Sequence, residues 1–140
     1  MNRADVAHDH LALEHALRNI RDRFEALTCD GRDVIDVLDD VVTLMKAMKA
    51  HHQEEESQLF AFVARRHGDD KELTGLVAQH RQLERELQEV ADLVNYETDI
   101  QGAKRALATF SQSFDRHTLR EADYFSTRWD ELFPGELMAG

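Results

Sequence analysis

The chain has 140 residues, 42% hydrophobic and 32% charged, a length and balance that suit one domain with its own buried core. A formal net charge of -11 argues against neutralising nucleic-acid phosphates and against docking on an anionic membrane, so neither partner is expected. With a single cysteine, Cys29, an intramolecular disulfide and a thiolate zinc site are both excluded.

A lone thiol suits a reducing, cytoplasmic setting. No apolar run approaches the roughly 20 residues that cross a bilayer, and the polar start, residues 1–10, carries no signal-peptide pattern. The only proline is Pro134, so nothing breaks a helix before it. β-Branched residues do not alternate with polar ones over any useful length, so strand signals are absent.

Apolar residues recur at helical spacing in four segments. The first helix is predicted over 4–27, with Val6, Leu13, Leu17, Ile20, Phe24 and Leu27 on one stripe. Residues 28–32 read as a turn. The second is predicted over 33–66, with Val37, Val41, Leu44, Met48, Leu59 and Phe62. His67, Gly68 and Asp69 form the next break, Gly68 capping the helix end. The third is predicted over 70–95, with Leu73, Leu76, Leu83, Leu87, Val90 and Val94. Residues 96–99 turn the chain, and Thr98 or Asp99 is the N-cap candidate. The fourth is predicted over 100–132, with Leu107, Phe110, Phe114, Phe125 and Trp129. Short links between long amphipathic helices predict an all-α fold, an antiparallel up-down-up-down four-helix bundle. It is read as a single domain over 1–140, with the bundle at about 4–133 and a short tail at 134–140.

Eight histidines raise the question of whether they are scattered or placed. Superimposing His10 on His80 aligns Val6 with Leu76, Leu13 with Leu83, Leu17 with Leu87, Ile20 with Val90 and Phe24 with Val94. Glu14 and Glu84 also coincide. His8 and His15 do not give this register, so His10 is the candidate. Superimposing His51 on His117 aligns Val41 with Leu107, Leu44 with Phe110, Met48 with Phe114, Glu55 with Glu121 and Leu59 with Phe125. The chain therefore reads as two similar helical hairpins, each with one histidine on its first helix and a His-x-x-x-Glu pair on its second.

The candidates also share a height. His10 lies 17 residues before Leu27, and His51 lies 18 after Asp33. His80 lies 17 before Glu97, and His117 lies 17 after Ile100. Glu55 is 11 before Arg66, and His80 is 11 after Asp69. At a constant rise per residue, these distances bring the four helices to one layer. Residues four apart share a helix face, so four imidazoles and two carboxylates are expected to point inward together. A bare layer of that kind carries a heavy desolvation cost, which cations offset. Imidazole with carboxylate and no thiolate suits iron, manganese or zinc. Two bridging carboxylates with two histidines per metal suit a dinuclear centre, with iron the first choice.

Other polar residues have simpler readings beside sharper ones. Glu14 and Glu84 are solvated helix-edge residues, or else extra ligands or acceptors for a ligand N–H. His52, about 100° round the helix from His51, is expected at the surface, as are His8, His15 and His67. Glu54 and Glu56 are expected to face solvent or pair along the helix. Phe110, Phe114, Phe125 and Trp129 read as core. Tyr124 reads as packing, with an outer phenol role as the alternative. Cys29 is assigned no role.

The residues on which this argument stands carry a family resemblance. They are His10; the run His51-His52-Gln53-Glu54-Glu55-Glu56-Ser57-Gln58-Leu59-Phe60; Gln79-His80-Arg81-Gln82-Leu83; and His117-Thr118-Leu119-Arg120-Glu121. Across about 4–133 the chain resembles the hemerythrin-like, or HHE cation-binding, family. The resemblance implies a non-haem di-iron centre of two iron ions handling oxygen, nitric oxide or peroxide. Oxygen-carrying hemerythrins place a second histidine four residues from the first on the third helix. Leu76 and Glu84 occupy the flanking positions here, which points away from reversible oxygen carriage. The four-histidine, two-glutamate set is similar to di-iron proteins linked to iron–sulfur cluster repair, without the cysteine-bearing N-terminal domain often attached to them. The expectation is a redox protein at a His/Glu site, with an unidentified electron donor. The alternative is a non-catalytic module that binds or senses oxygen or iron.

Overall fold

A computed structural model describes the backbone of residues 3–27, 31–68, 70–96 and 99–132, and the side chains of 10–27, 34–66, 68, 70–96 and 99–128. The elements are α1 (Arg3–Ala26), α2 (Gly31–Glu54), a π-helical turn (Glu55–Phe60), α3 (Ala61–His67), α4 (Lys71–Asn95) and α5 (Ile100–Leu132). No strand occurs among the described residues. The fold is an all-α four-helix bundle, because α2, the π turn and α3 run on as one rod. Helical dihedrals at Glu54, Phe60 and Ala61 carry the chain through both junctions.

The expected breaks fall close to their predicted places. Gly68 takes φ 74° and its N–H donates to Ala64 O at 2.9 Å, so a left-handed glycine ends α3. Asp70 is the N-cap of α4 rather than its first residue, accepting from Glu72 N–H at 2.9 Å. Asp99 caps α5, accepting from Gly102 N–H at 2.8 Å; Thr98, the other cap candidate, lies outside the described residues. Gly31 and Arg32, expected in the first turn, belong to α2. The predicted turn residues 28–30, Cys29 among them, lie outside the described residues, as does the tail 134–140; the same holds for the side chains of Val6, His8, His67 and Trp129.

Cross-helix pairs run in reverse order along neighbouring helices, as antiparallel neighbours do. Between α1 and α2, Arg23 meets Asp40 while His10 meets His51. Where the second rod faces α4, His52 meets Glu84 and Glu56 meets His80. Between α4 and α5, Glu86 meets Ser113, and Glu72 meets Arg128.

Two apolar clusters result. The larger spans α1, α2, α4 and α5, from Leu13, Leu17, Ile20 and Phe24 through Val41, Leu44, Met48, Leu83, Leu87 and Val90 to Leu107, Phe110 and Phe114. The smaller gathers Leu59, Phe60, Val63, Leu73, Leu76, Tyr124 and Phe125. The polar layer of His51, Glu55, His80, His117 and Glu121 lies between them in sequence on each helix.

One stripe differs from expectation. Phe62 is half-buried at the edge of the smaller cluster, whereas Phe60 and Val63 are buried. The π turn is the reason. Ala61 N–H bonds to Glu56 O, five residues back, as well as to Gln58 O. The wider turn rotates every later side chain away from the phase a regular helix gives.

Candidate metal centre

The four-residue spacing within single helices sets the closest contacts of the layer. His51 Nε2 lies 2.8 Å from Glu55 Oε1, and His117 Nε2 lies 2.8 Å from Glu121 Oε2. Contacts between different helices are slightly longer. His10 Nε2 is 3.5 Å from Glu121 Oε1 and 3.9 Å from Glu55 Oε1. His80 Nε2 is 3.6 Å from Glu55 Oε1 and 3.5 Å from Glu121 Oε2.

The six residues form two groups. His10, His51 and Glu55 make one; His80, His117 and Glu121 make the other. Within each, one donor atom per residue lies within 4.8 Å of the others. The groups are near copies: the His10 and His51 rings sit 4.9 Å apart at 67°, and the His80 and His117 rings 4.7 Å apart at 65°. The hairpin repeat in the sequence thus reappears as an approximate two-fold in space.

Burial makes this arrangement costly on its own. Glu55 is 0% and Glu121 1% exposed, and no oxygen of either makes a well-angled hydrogen bond among the described residues. His80 Nε2 is also without such a bond. The short contacts to histidine are electrostatic, and a cation among these oxygens and nitrogens would offset their desolvation. Two imidazoles and a carboxylate per group, with no thiolate, are a donor set that fits a metal site.

The family model of the hemerythrin HHE cation binding domain matches residues 3–128. The chain belongs to this family. No curated protein and no solved structure matches significantly. The HHE family accounts for cation binding at a His/Glu site in the bundle, consistent with the two groups just described.

In this HHE domain further polar residues surround the layer, and two of them, His52 and Glu56, differ from the sequence expectation. His52, expected at the surface, is 2% exposed. Its ring stacks on His80 at 3.8 Å and 7°, and its Nδ1 lies 2.7 Å from Glu84 Oε2. A helix in a bundle buries a face wide enough to meet two neighbours, so a residue 100° from the inward direction falls in the seam between α2 and α4. Glu56, expected to face solvent or pair along its own helix, instead reaches across to His80 Nδ1 at 2.8 Å and also pairs with Arg81. Gln79, part of the third-helix motif but without a role readable from the sequence, has its Oε1 2.7 Å from His117 Nδ1. The inter-helix register contained a usable signal: levelling Glu55 with His80 sets Glu56 near His80 and His52 near Glu84.

Partner chemistry assigns the tautomers. Glu56 accepts from the Nδ1–H of His80, and Gln79 Oε1 accepts from the Nδ1–H of His117. Each imidazole then turns its Nε2 toward the layer carboxylates.

Glu84 is the acceptor for His52 and Arg81 and joins neither group. Glu14 is half-buried and likewise joins neither. His15 is exposed, as expected. Tyr124 packs edge-on against Phe125, and its hydroxyl donates to Asp70 Oδ2 at 2.8 Å, which makes it a packing residue.

The electrostatics follow from burial and crowding. Burial, reinforced by the charges of His80, His117 and His51, pushes His52 down to about 2, so this ring is neutral. Burial alone would favour neutral His80, but the close Glu121 carboxylate, the hydrogen bond to Glu56 and the charges of both layer glutamates raise it above the usual histidine value. Burial also works against ionised Glu121, yet the neighbouring Glu55 carboxyl, His117, His80 and the charge of His10 hold it well below the usual carboxylate range.

Proposed function

We propose that the chain is a non-haem di-iron protein that handles a small oxidant or gas (peroxide, nitric oxide or oxygen) by redox chemistry. His10, His51 and Glu55 are the proposed ligands of one ion, and His80, His117 and Glu121 of the other; manganese or zinc would fit the same donors. The observation that carries this reading is the reach of the carboxylates. Glu55 contacts His51 of its own group and His80 of the other, and Glu121 contacts His117 and His10. Carboxylates so placed are suited to bridge two ions.

Bound iron would supply one-electron redox chemistry and Lewis acidity toward the small molecule. The chain's own contribution is geometric and electrostatic. Glu56 and Gln79 hold the His80 and His117 rings with Nε2 forward. The apolar clusters on either side, closed by residues such as Met48, Phe114, Leu76 and Phe125, limit the water that reaches the layer. Leu76 belongs to the smaller cluster and Glu84 is committed to His52, so the third helix of the bundle offers one layer histidine, His80. That favours carboxylate-rich redox chemistry over a five-histidine oxygen carrier. The single cysteine supports a reducing, cytoplasmic setting.

The test begins with elemental analysis of untagged protein, where about two iron atoms per chain are expected, as in two-metal sites. Peroxide and nitric oxide consumption by the iron-loaded protein should then exceed that of free iron. A reversible spectral change without product would favour a binding or sensing module. No iron after anaerobic loading with ferrous ion would end the di-iron reading.

A further inference from the structure

The approximate two-fold of the layer is broken on one side by a closed ring of polar contacts. The guanidinium of Arg81 donates to Glu56 through Nη2 and to Glu84 Oε2 through Nη1 at 2.6 Å. Glu56 Oε2 accepts from His80 Nδ1 at 2.8 Å, and Glu84 Oε2 from His52 Nδ1 at 2.7 Å. The two imidazoles close the ring by stacking at 3.8 Å. Phe60 covers His80 at 5.4 Å and 15°. His80 is therefore held in its plane by stacking and in its rotation by Glu56, and Glu56 is itself held by Arg81.

The hairpin repeat gives the matching positions around His10. Leu11 stands for Arg81, Thr118 for His52 and Ala122 for Glu56; Glu14 alone retains the type of Glu84. Leu11 and Ala122 are exposed, and Thr118 Oγ1 has no hydrogen-bond partner among the described residues. The ring has no chemical counterpart there, and the His10 side chain is 14% exposed against 0% for His80.

We propose that Arg81 is a positioning residue that locks the His52–His80 stack through Glu56 and Glu84, so that the group of His80, His117 and Glu121 holds its cation more tightly than the group of His10, His51 and Glu55. The inference rests on the ligand assignment proposed above. Its basis is pre-organisation: a ligand already held in its bound rotamer loses less freedom when the ion arrives, and outer partners of metal-binding histidines are worth about 10–100-fold in affinity.

Cobalt(II) is the probe, because its absorption reports ligand geometry without redox change. Wild-type protein loaded with cobalt(II) is challenged with excess chelator, and the release is followed optically. Two phases of unequal rate are expected. Arg81→Leu should speed the slow phase roughly tenfold and leave the fast one in place, within the range for outer partners. Arg85→Leu, an exposed arginine one turn on, should change neither. Glu56→Gln should also speed the slow phase, and adding Arg81→Leu to it should have less than the additive effect, since both act through one contact. Circular dichroism melts of the metal-free variants identify any loss of fold; if Arg81→Leu loses it, Glu56→Gln alone carries the comparison with wild type. A single release phase in wild type, or equal acceleration of both phases by Arg81→Leu, overturns the proposal. Failure to bind cobalt(II) or iron at all overturns the ligand assignment as well, which separates the two.

Discussion

Glu121 lies 2.8 Å from His117 and 3.5 Å from both His10 and His80, at 1% exposure. Replacing it with alanine removes the one carboxylate that contacts both His117 and His10. We expect Glu121→Ala to lower bound iron from about two per chain to one or fewer, since two-metal sites depend on groups shared between the ions; unchanged iron content by elemental analysis would remove Glu121 from the ligand set. His52 tests a different role. Truncating it leaves Glu84 without its imidazole partner and opens space against His80. His52→Ala should cost about 1–3 kcal/mol in urea unfolding of the metal-free protein, as for lost buried hydrogen bonds and packing. His15→Ala, at an exposed position of α1, should stay within about 0.5 kcal/mol. Equal effects would mean that His52 is not buried as described.

At the scale of elements, Asp70 ties two helices together. Its Oδ1 caps α4 through Glu72 N–H, and its Oδ2 accepts from Tyr124 of α5. Arg128 lies 4.1 Å from the Tyr124 ring centre. Asp70→Ala should cost about 1 kcal/mol for the cap. Tyr124→Phe keeps the cap and isolates the cross-helix bond. The pH dependence has a defined sign. The Tyr124 hydroxyl, helped by backbone N–H groups and Arg128, holds Asp70 below its ordinary value of 3.8 despite some desolvation. The stabilising share of the carboxylate is therefore complete above 3.8 and fades as pH falls through the lower folded value. Solvent screening keeps it small. The stability gap between wild type and Asp70→Asn should narrow in acid, and a gap that widens would contradict the arrangement. The π turn acts at this scale too: Glu55 opens it and Leu59, Phe60 and Val63 follow in the shifted phase. Phe60, the last residue of the turn, lies over the face of His80.

The molecule as a whole joins two apolar clusters across a layer whose Glu55 and Glu121 oxygens make no well-angled hydrogen bond among the described residues. Its stability should therefore be linked to the proposed ions. A cation held at a thousand times its Kd adds about 4 kcal/mol to the native state, a shift on the order of 10 °C in Tm for a chain of this size. Exhaustive chelation should lower the melting temperature by that order while leaving helical circular dichroism in place below the transition. An unchanged Tm would mean that no cation contributes to the native bundle. No described helix is long and apolar enough to cross a membrane, which agrees with the absence of any such apolar run in the sequence.

Period and spacing sufficed for much of this protein. The 3.6-residue apolar stripes marked the four rods; the constant rise per residue levelled His10, His51, His80 and His117; and the i, i+4 rule turned Glu55 and Glu121 toward His51 and His117. These follow from regular helix geometry, which sequence alone carries. What depended on tertiary structure lay where helices meet or where one departs from regularity. The π turn exchanged Phe62 for Phe60 and Val63, because one wide turn resets the phase of everything after it. His52 became core because α2 faces α4 as well as the layer, and no single-helix projection contains that second neighbour. Glu56 and Gln79 gained their roles from histidines on adjacent helices, across distances that exist only once the rods have packed.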